Sequence, residues 1–319
     1  MKVIDTHCDV LLKLWRSPEK SRFSDSINLK SNFRRLQAGG VFIQCFAIFV
    51  PPQVKTEHKF QVALEQIDIF NNEILAKHPE MKQIISWDEI EQLRPNEIGA
   101  MITLEGADVF HNDLTKLRLL YKLGIKAMGL TWNNANLCAD GVGERRGAGL
   151  TEFGKEVVHL NNDHQVWTDV SHLSENAFWD VMEIAEYPIA SHSNSRSICD
   201  HPRNLTDQQA EILFKNGGFV SHLFYPPFVK ENGVATIKDL IKHIDHFCSI
   251  GGLNHICFGS DFDGTETSLK KLKDASMYPN LINELLKHFK DDEVRGFAYQ
   301  NFLNHRPTKR NSITLSEAK

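Results

Sequence analysis

Among the 15 histidines and 41 acidic residues of this 319-residue chain, six stand where they could together hold divalent cations and activate water: His7, Asp9, Glu105, His172, His192 and Asp261. His7 and Asp9 belong to the run Val3-Ile4-Asp5-Thr6-His7-Cys8-Asp9. Read as a strand, this run turns residues two apart to the same side and presents an imidazole and a carboxylate together. A lone His-x-Asp pair is equally well an ordinary histidine followed by a helix cap, so the other four residues carry the weight.

Each of those four stands where an apolar run ends. Glu105 follows Ile98-Gly99-Ala100-Met101-Ile102-Thr103-Leu104, and His172 follows Val166-Trp167-Thr168-Asp169-Val170-Ser171. His192 follows Pro188-Ile189-Ala190-Ser191, and Asp261 follows His255-Ile256-Cys257-Phe258-Gly259-Ser260. Three histidines and three carboxylates exceed the needs of one tetrahedral zinc. Two ions about 3.5 to 4 Å apart need a shared carboxylate. Glu105 is the natural bridge, with His7 and Asp9 on one ion and His172 and His192 on the other. Two cations bring a bound water's pKa from about 15.7 toward about 7, and Asp261 can accept its proton.

The elements that position these residues alternate. After the first strand come a helix from Val10 and a polar loop from Arg16 to Lys30 that could close a site. Further strands are predicted at Val41–Val50, Ala127–Trp132 and Gly217–Ser221, with helices over Asn32–Ala38, Glu57–Ala76, Leu114–Leu123, Phe153–Leu160, Glu175–Ala185, Asn204–Lys215 and Thr236–Ser249. About eight strand-then-helix units without an internal repeat point to a (β/α)8 barrel of the TIM type over residues 1–306, followed by a polar tail, 307–319. In such barrels the chemistry sits on the rim where strands end. The glycine-rich stretch 139–149 lacks the Lys-Ser/Thr ending of a phosphate loop and reads as a mobile surface loop. His111, His159, His164, His243, His246 and His288 fall in helices or their loops and are assigned packing or surface roles, with His222 undecided.

Composition excludes several classes. A formal net charge of −5 offers no basic field for a phosphate backbone, so no nucleic-acid partner is expected. The six cysteines lack C-x-x-C spacing, as in a reduced cytosolic protein. No secretion signal or membrane span is visible, and a soluble cytoplasmic protein without membrane partners is expected.

The motifs Asp5-Thr6-His7-Cys8-Asp9, Thr103-Leu104-Glu105-Gly106, Asp169-Val170-Ser171-His172, Ser191-His192-Ser193 and Gly259-Ser260-Asp261-Phe262-Asp263-Gly264 together resemble those of the membrane (renal) dipeptidase family, from the first strand to about His305. The resemblance implies an amidohydrolase-like barrel hydrolysing small dipeptides with two zinc ions per chain. It gives the same roles: His7, Asp9, Glu105, His172 and His192 as ligands with Glu105 bridging, and Asp261 as acid/base in contact with substrate. It adds Arg203, in Asp200-His201-Pro202-Arg203-Asn204, as the group that grips the substrate carboxylate, a task suited to a planar fork. Animal members carry a substrate-facing histidine where this chain has Trp132. A cytosolic bacterial-type relative, plausibly a homodimer, is implied. Alternatives are an amidohydrolase acting on N-acyl amino acids and a metal-bearing binding protein without turnover. The same donors would also take Mn²⁺ or Co²⁺.

Overall fold

The structure is a computed structural model that describes residues 1–19 and 21–308, so the expected tail lies, apart from Pro307 and Thr308, outside the described residues. The apolar runs become β1 (Val3–Asp5), β2 (Val41–Phe49), β3 (Met81–Gln83), β4 (Ile98–Glu105), β5 (Ile125–Gly129), β6 (Trp167–Asp169), β7 (Pro188–Ile189), β8 (Val220–His222) and β9 (Ile256–Phe258). All the pairings between these strands are parallel, and the path runs β7-β6-β5-β4-β2-β1-β9-β8. The two ends of the path meet where Ala190, just past β7, pairs with Val220. Ala190 N donates to Phe219 O at 2.9 Å and Ser221 N to Ala190 O at 2.8 Å. The eight strands on this path form a (β/α)8 barrel of the TIM type, and they are the eight that the sequence predicts. The short β3 was not anticipated; it adds to β4 outside the barrel path.

Strand periodicity sorts the core into two layers. Ile4, Ile43, Cys45, Met101, Ala127, Trp167, Ile189, Phe219 and Cys257 form one cluster, and Phe302 packs with them. Alternating residues such as Val3, Phe46, Ile48, Ile102 and Leu104 join the larger cluster that includes the surrounding helices. Met101 and Glu105 are four apart on β4, so Glu105 shares the face of the inner cluster at the C-terminal mouth of the barrel.

The helices begin where capping residues put them. Among α1 (Val10–Arg16), α2 (Phe33–Gly39), α3 (Thr56–Ile69), α4 (Leu114–Lys122), α5 (Glu152–Asp163), α6 (Glu175–Ile184) and α7 (Asp207–Lys215), caps at Asn32, Asp113, Thr151, Ser174 and Thr206 accept from backbone N–H groups. Such a cap contributes about 1 kcal/mol to its helix. The long helix expected to Ala76 passes after Ile69 into a wider π-helical turn, Phe70–Leu75.

One expectation about the first motif is corrected. The strand ends at Asp5, so His7 and Asp9 are not paired by strand alternation. The Asp5 carboxylate accepts from His7 N at 3.3 Å and from Ser260 N at 2.9 Å, which draws the chain into a turn. Asp9 then sits at the N-cap of α1, but its side chain makes no cap hydrogen bond and stays available to His7.

Candidate metal centre

The structure brings His7, Asp9, Glu105, His172, His192 and Asp261 to one buried place at the mouth of the barrel. His7 Nε2 lies 3.5 Å from Asp9 Oδ2 and 3.8 Å from Glu105 Oε2. The other Glu105 oxygen, Oε1, lies 3.0 Å from His172 Nε2 and 3.7 Å from His192 Nε2. The carboxylate therefore faces His7 with one oxygen and the later histidines with the other. Two groups of three donor atoms lie within 4.8 Å of one another: His7, Glu105 and His192, and His7, Asp9 and Asp261.

Hydrogen bonds behind the rings fix which nitrogen carries a proton. His172 Nδ1 is 2.8 Å from Asn133 Oδ1, an acceptor, so this nitrogen donates and Nε2 keeps its lone pair. His192 Nδ1 is 2.7 Å from Ser191 Oγ, whose hydroxyl donates to Asp169 Oδ2. His192 Nε2 is likewise left with a lone pair, and the two Nε2 atoms stand 2.9 Å apart. Two lone pairs at that distance, beside a carboxylate oxygen, repel unless something positive lies among them. The donor set fits a divalent cation.

Asp169 also accepts from Ser171 N at 3.0 Å and Ser191 N at 2.9 Å, tying the turns after β6 and β7 together. Asp5 does the same across the barrel seam: its carboxylate accepts from Ser260 Oγ at 2.7 Å, while Asp261 N donates to His7 O at 3.1 Å. His172 and Asp261 both adopt left-handed backbone, with φ of 71° and 58°. Strain of this kind gathers at functional sites.

The electrostatics match the geometry. Burial pushes the Asp261 carboxyl well up, and the Asp9 carboxylate beside it adds to the effect. Burial also raises Glu105 against the opposing pull of His7 and Arg203. Burial lowers His172 and His192 well below the ordinary imidazole value. It acts the same way on His7, but there the carboxylates of Asp9, Glu105 and Asp261 outweigh it and push the ring up to about 10.

These residues open on a cavity of about 310 Å³ that is also lined by Phe49, Trp132, Asn133, Arg203, Tyr225 and Phe228. Arg203 is buried; its Nη2 donates to His192 O at 3.3 Å, and its Nε has no partner among the described residues. Burial lowers its pKa to about 10. The Trp132 ring lies 5.4 Å from Phe49 and 6.1 Å from His172. Lys30 N and Ser31 N donate to the Asp263 carboxylate at 2.8 and 2.9 Å, so the loop after α1 is tied to the Asp261-Phe262-Asp263-Gly264 segment.

Every site residue predicted from the sequence reaches this region. Asn133, Asp169, Ser191, Asp5 and Ser260 were missed as members of the centre, although Asp5 and Asp169 carried a signal: each is an acidic residue at the buried end of a strand, two or three residues before a histidine. His222 takes no part; it is buried on β8, with Nδ1 2.9 Å from Asn194 Oδ1. His243 and His246 make structural hydrogen bonds elsewhere.

Comparison with known proteins gives the family. Residues 1–310 match the family model for membrane dipeptidase, peptidase family M19. Mouse (Mus musculus) Dipeptidase 3 is 30% identical over 315 residues, which are 94% of this chain and 63% of that protein's length. The chain thus spans less than two thirds of that relative. A metallopeptidase from Rhodobacter sphaeroides, solved with a phosphinate mimic of the dipeptide L-Ala-D-Ala, superposes with a TM-score of 0.90 at 25% identity over 97% of this chain and 99% of that one. The metallopeptidase dipeptidase AC gives a TM-score of 0.86 at 27% identity over 96% of this chain and 98% of that one. With its whole barrel matched and its histidines and carboxylates gathered at the barrel mouth, the chain belongs to the membrane dipeptidase family, peptidase family M19.

Proposed function

We propose that this protein is a zinc-dependent dipeptidase with two ions per chain. The observation that carries the reading is the approach of the Nε2 atoms of His172 and His192 to 2.9 Å, with Glu105 Oε1 beside them. His7 and Asp9 would hold one ion and His172 and His192 the other. Glu105 would bridge, since its two oxygens face opposite ways. When bound, the ions supply a water acidic enough to ionise near neutral pH and a positive field for the carbonyl oxygen.

The chain's own residues do the rest. Asp261 takes the proton from the attacking water and returns it to the leaving amine nitrogen; a carboxyl raised by burial and by Asp9 is suited to both acts. Arg203, which lines the cavity, grips the substrate's terminal carboxylate with its guanidinium group. The Trp132 ring lines the place where the substrate lies. A cytoplasmic setting is part of the reading, supported by six free cysteines and by the absence, among the described residues, of any helix long and apolar enough to cross a membrane.

Arg203 at a set distance from the ions acts as a ruler. Arg203→Lys replaces the fork by a point charge, and KM for dipeptides should rise roughly 10- to 100-fold with kcat little changed. Tripeptides should be poor substrates of the parent. Initial rates on dipeptides, tripeptides and N-acetyl amino acids test both points. Tripeptide cleavage at the dipeptide rate would remove the ruler, and preference for N-acetyl amino acids would favour a different amidohydrolase.

Gly264 offers a separate check on the two carboxylates. A Cβ there would stand 2.2 Å from Asp261 Oδ1 and 2.3 Å from Asp9 Oδ2. Gly264→Ala must push both groups aside. The fold should persist by circular dichroism while kcat/KM falls about 100-fold, the usual scale for a displacement near 1 Å. Unchanged kcat/KM would argue against a role for this pair.

A further inference from the structure

The glycine-rich segment 139–149, expected to be a mobile surface loop, is instead a strap. Cys138, Ala139 and Asp140 are buried, and Arg146 and Ala148 N both hold the Asp140 carboxylate. Val142 N donates to His172 O at 2.7 Å, and Gly143 N donates to Asn133 O at 2.8 Å. Gly141 lies so close that a Cβ there would stand 2.2 Å from Trp132 O. The glycines serve close approach of backbone to backbone. They lock the turn carrying Trp132 and Asn133 against the turn carrying His172.

That lock fixes the Asn133 amide. Its Oδ1 can only accept, so His172 Nδ1 donates to it at 2.8 Å. The amide therefore turns its NH2 group away from the ring. Among the described residues none accepts a hydrogen bond from Asn133 Nδ2, and Asn133 lines the cavity beside Glu105, His172 and Trp132. A donor held rigidly, uncharged and without a partner among the described residues is what stabilises a developing oxyanion at low cost in reorganisation.

We propose that Asn133 is a catalytic residue whose amide NH2 donates to the carbonyl oxygen of the scissile amide as negative charge builds on it. This rests on the dipeptidase reading. Water oxygen bonds to the carbonyl carbon and gives a proton to Asp261, while the C=O π pair moves onto the oxygen that meets Asn133. As that pair returns, the C–N bond breaks and Asp261 delivers the proton to the leaving nitrogen.

Orienting His172 and binding the oxyanion are separable roles. Asn133→Asp keeps an acceptor for His172 Nδ1 and loses the amide donor; Asn133→Ala loses both. Each variant, purified and then supplied with zinc, is measured for metal content, for kcat and KM on a dipeptide, and for affinity toward a phosphinate dipeptide mimic, whose tetrahedral anion resembles the transition state. At parental metal content, both Asn133 variants should bind the mimic about 100-fold more weakly and lose kcat in proportion, with KM within a few-fold of the parent. Return of Asn133→Ala to parental affinity and kcat once zinc is supplied would overturn the proposal. A parent that neither cleaves dipeptides nor binds the mimic overturns the dipeptidase reading as well, whereas a working parent with an unaltered Asn133→Ala overturns this inference alone.

Discussion

Glu105→Ala should leave a folded protein that has lost at least one metal ion per chain and at least about a thousandfold in kcat/KM. The proposed bridging role asks this one side chain to hold both ions, and such ions are worth several kcal/mol of transition-state stabilisation; each 1.4 kcal/mol is a factor of ten. Stability should not suffer in the metal-free state. Glu105 is buried and its carboxyl is raised by that burial, so its removal lifts an electrostatic cost from the mouth of the barrel. The backbone of β4 is held by its ladder to β2, which runs from Ile43↔Gly99 to Phe49↔Glu105 and does not involve the side chain. Metal analysis and circular dichroism on one preparation check the two halves together. Parental metal content and activity in the variant would remove Glu105 from the centre.

Asp261→Asn should separate chemistry from metal binding. The substitution is nearly isosteric, and Asn tolerates the left-handed φ of 58° as well as Asp does, so the turn after β9 should be kept. The amide cannot take a proton from water. Loss of a positioned acid/base costs roughly 10² to 10⁴ in rate, and kcat should fall within that range while bound metal stays near the parental amount. Steady-state kinetics with metal analysis of the same sample decide the matter. A kcat within about tenfold of the parent would assign proton transfer to another group.

The barrel was legible because its strands are short apolar runs bounded by turn formers, and because the residues that end them are polar. The strand that sequence reading passed over, β3, is three residues long and only Met81 of it is buried. No periodicity can declare itself over so short a stretch. The six metal-type residues were legible by the same rule, and all six converge. For His7 and Asp9 the convergence has a different cause from the one expected: a turn made by Asp5, not strand alternation.

What could not be read lies in contacts between distant parts of the chain. Asp169 reaches Ser191 over 22 residues, and Asp5 reaches Ser260 over 255. Neither serine has a local signature that distinguishes it from a turn residue. The strap over residues 139–149 misled for a related reason. Glycine permits both mobility and close approach, and only the neighbours, here Trp132, Asn133 and His172, decide between them.

Metal content of the parent protein, purified without added metal and measured by inductively coupled plasma mass spectrometry, tests the central claim most directly. The account predicts about two zinc ions per chain, or uptake of about two when zinc is supplied to a stripped sample. A folded parent that carries no divalent metal and takes up none would contradict it.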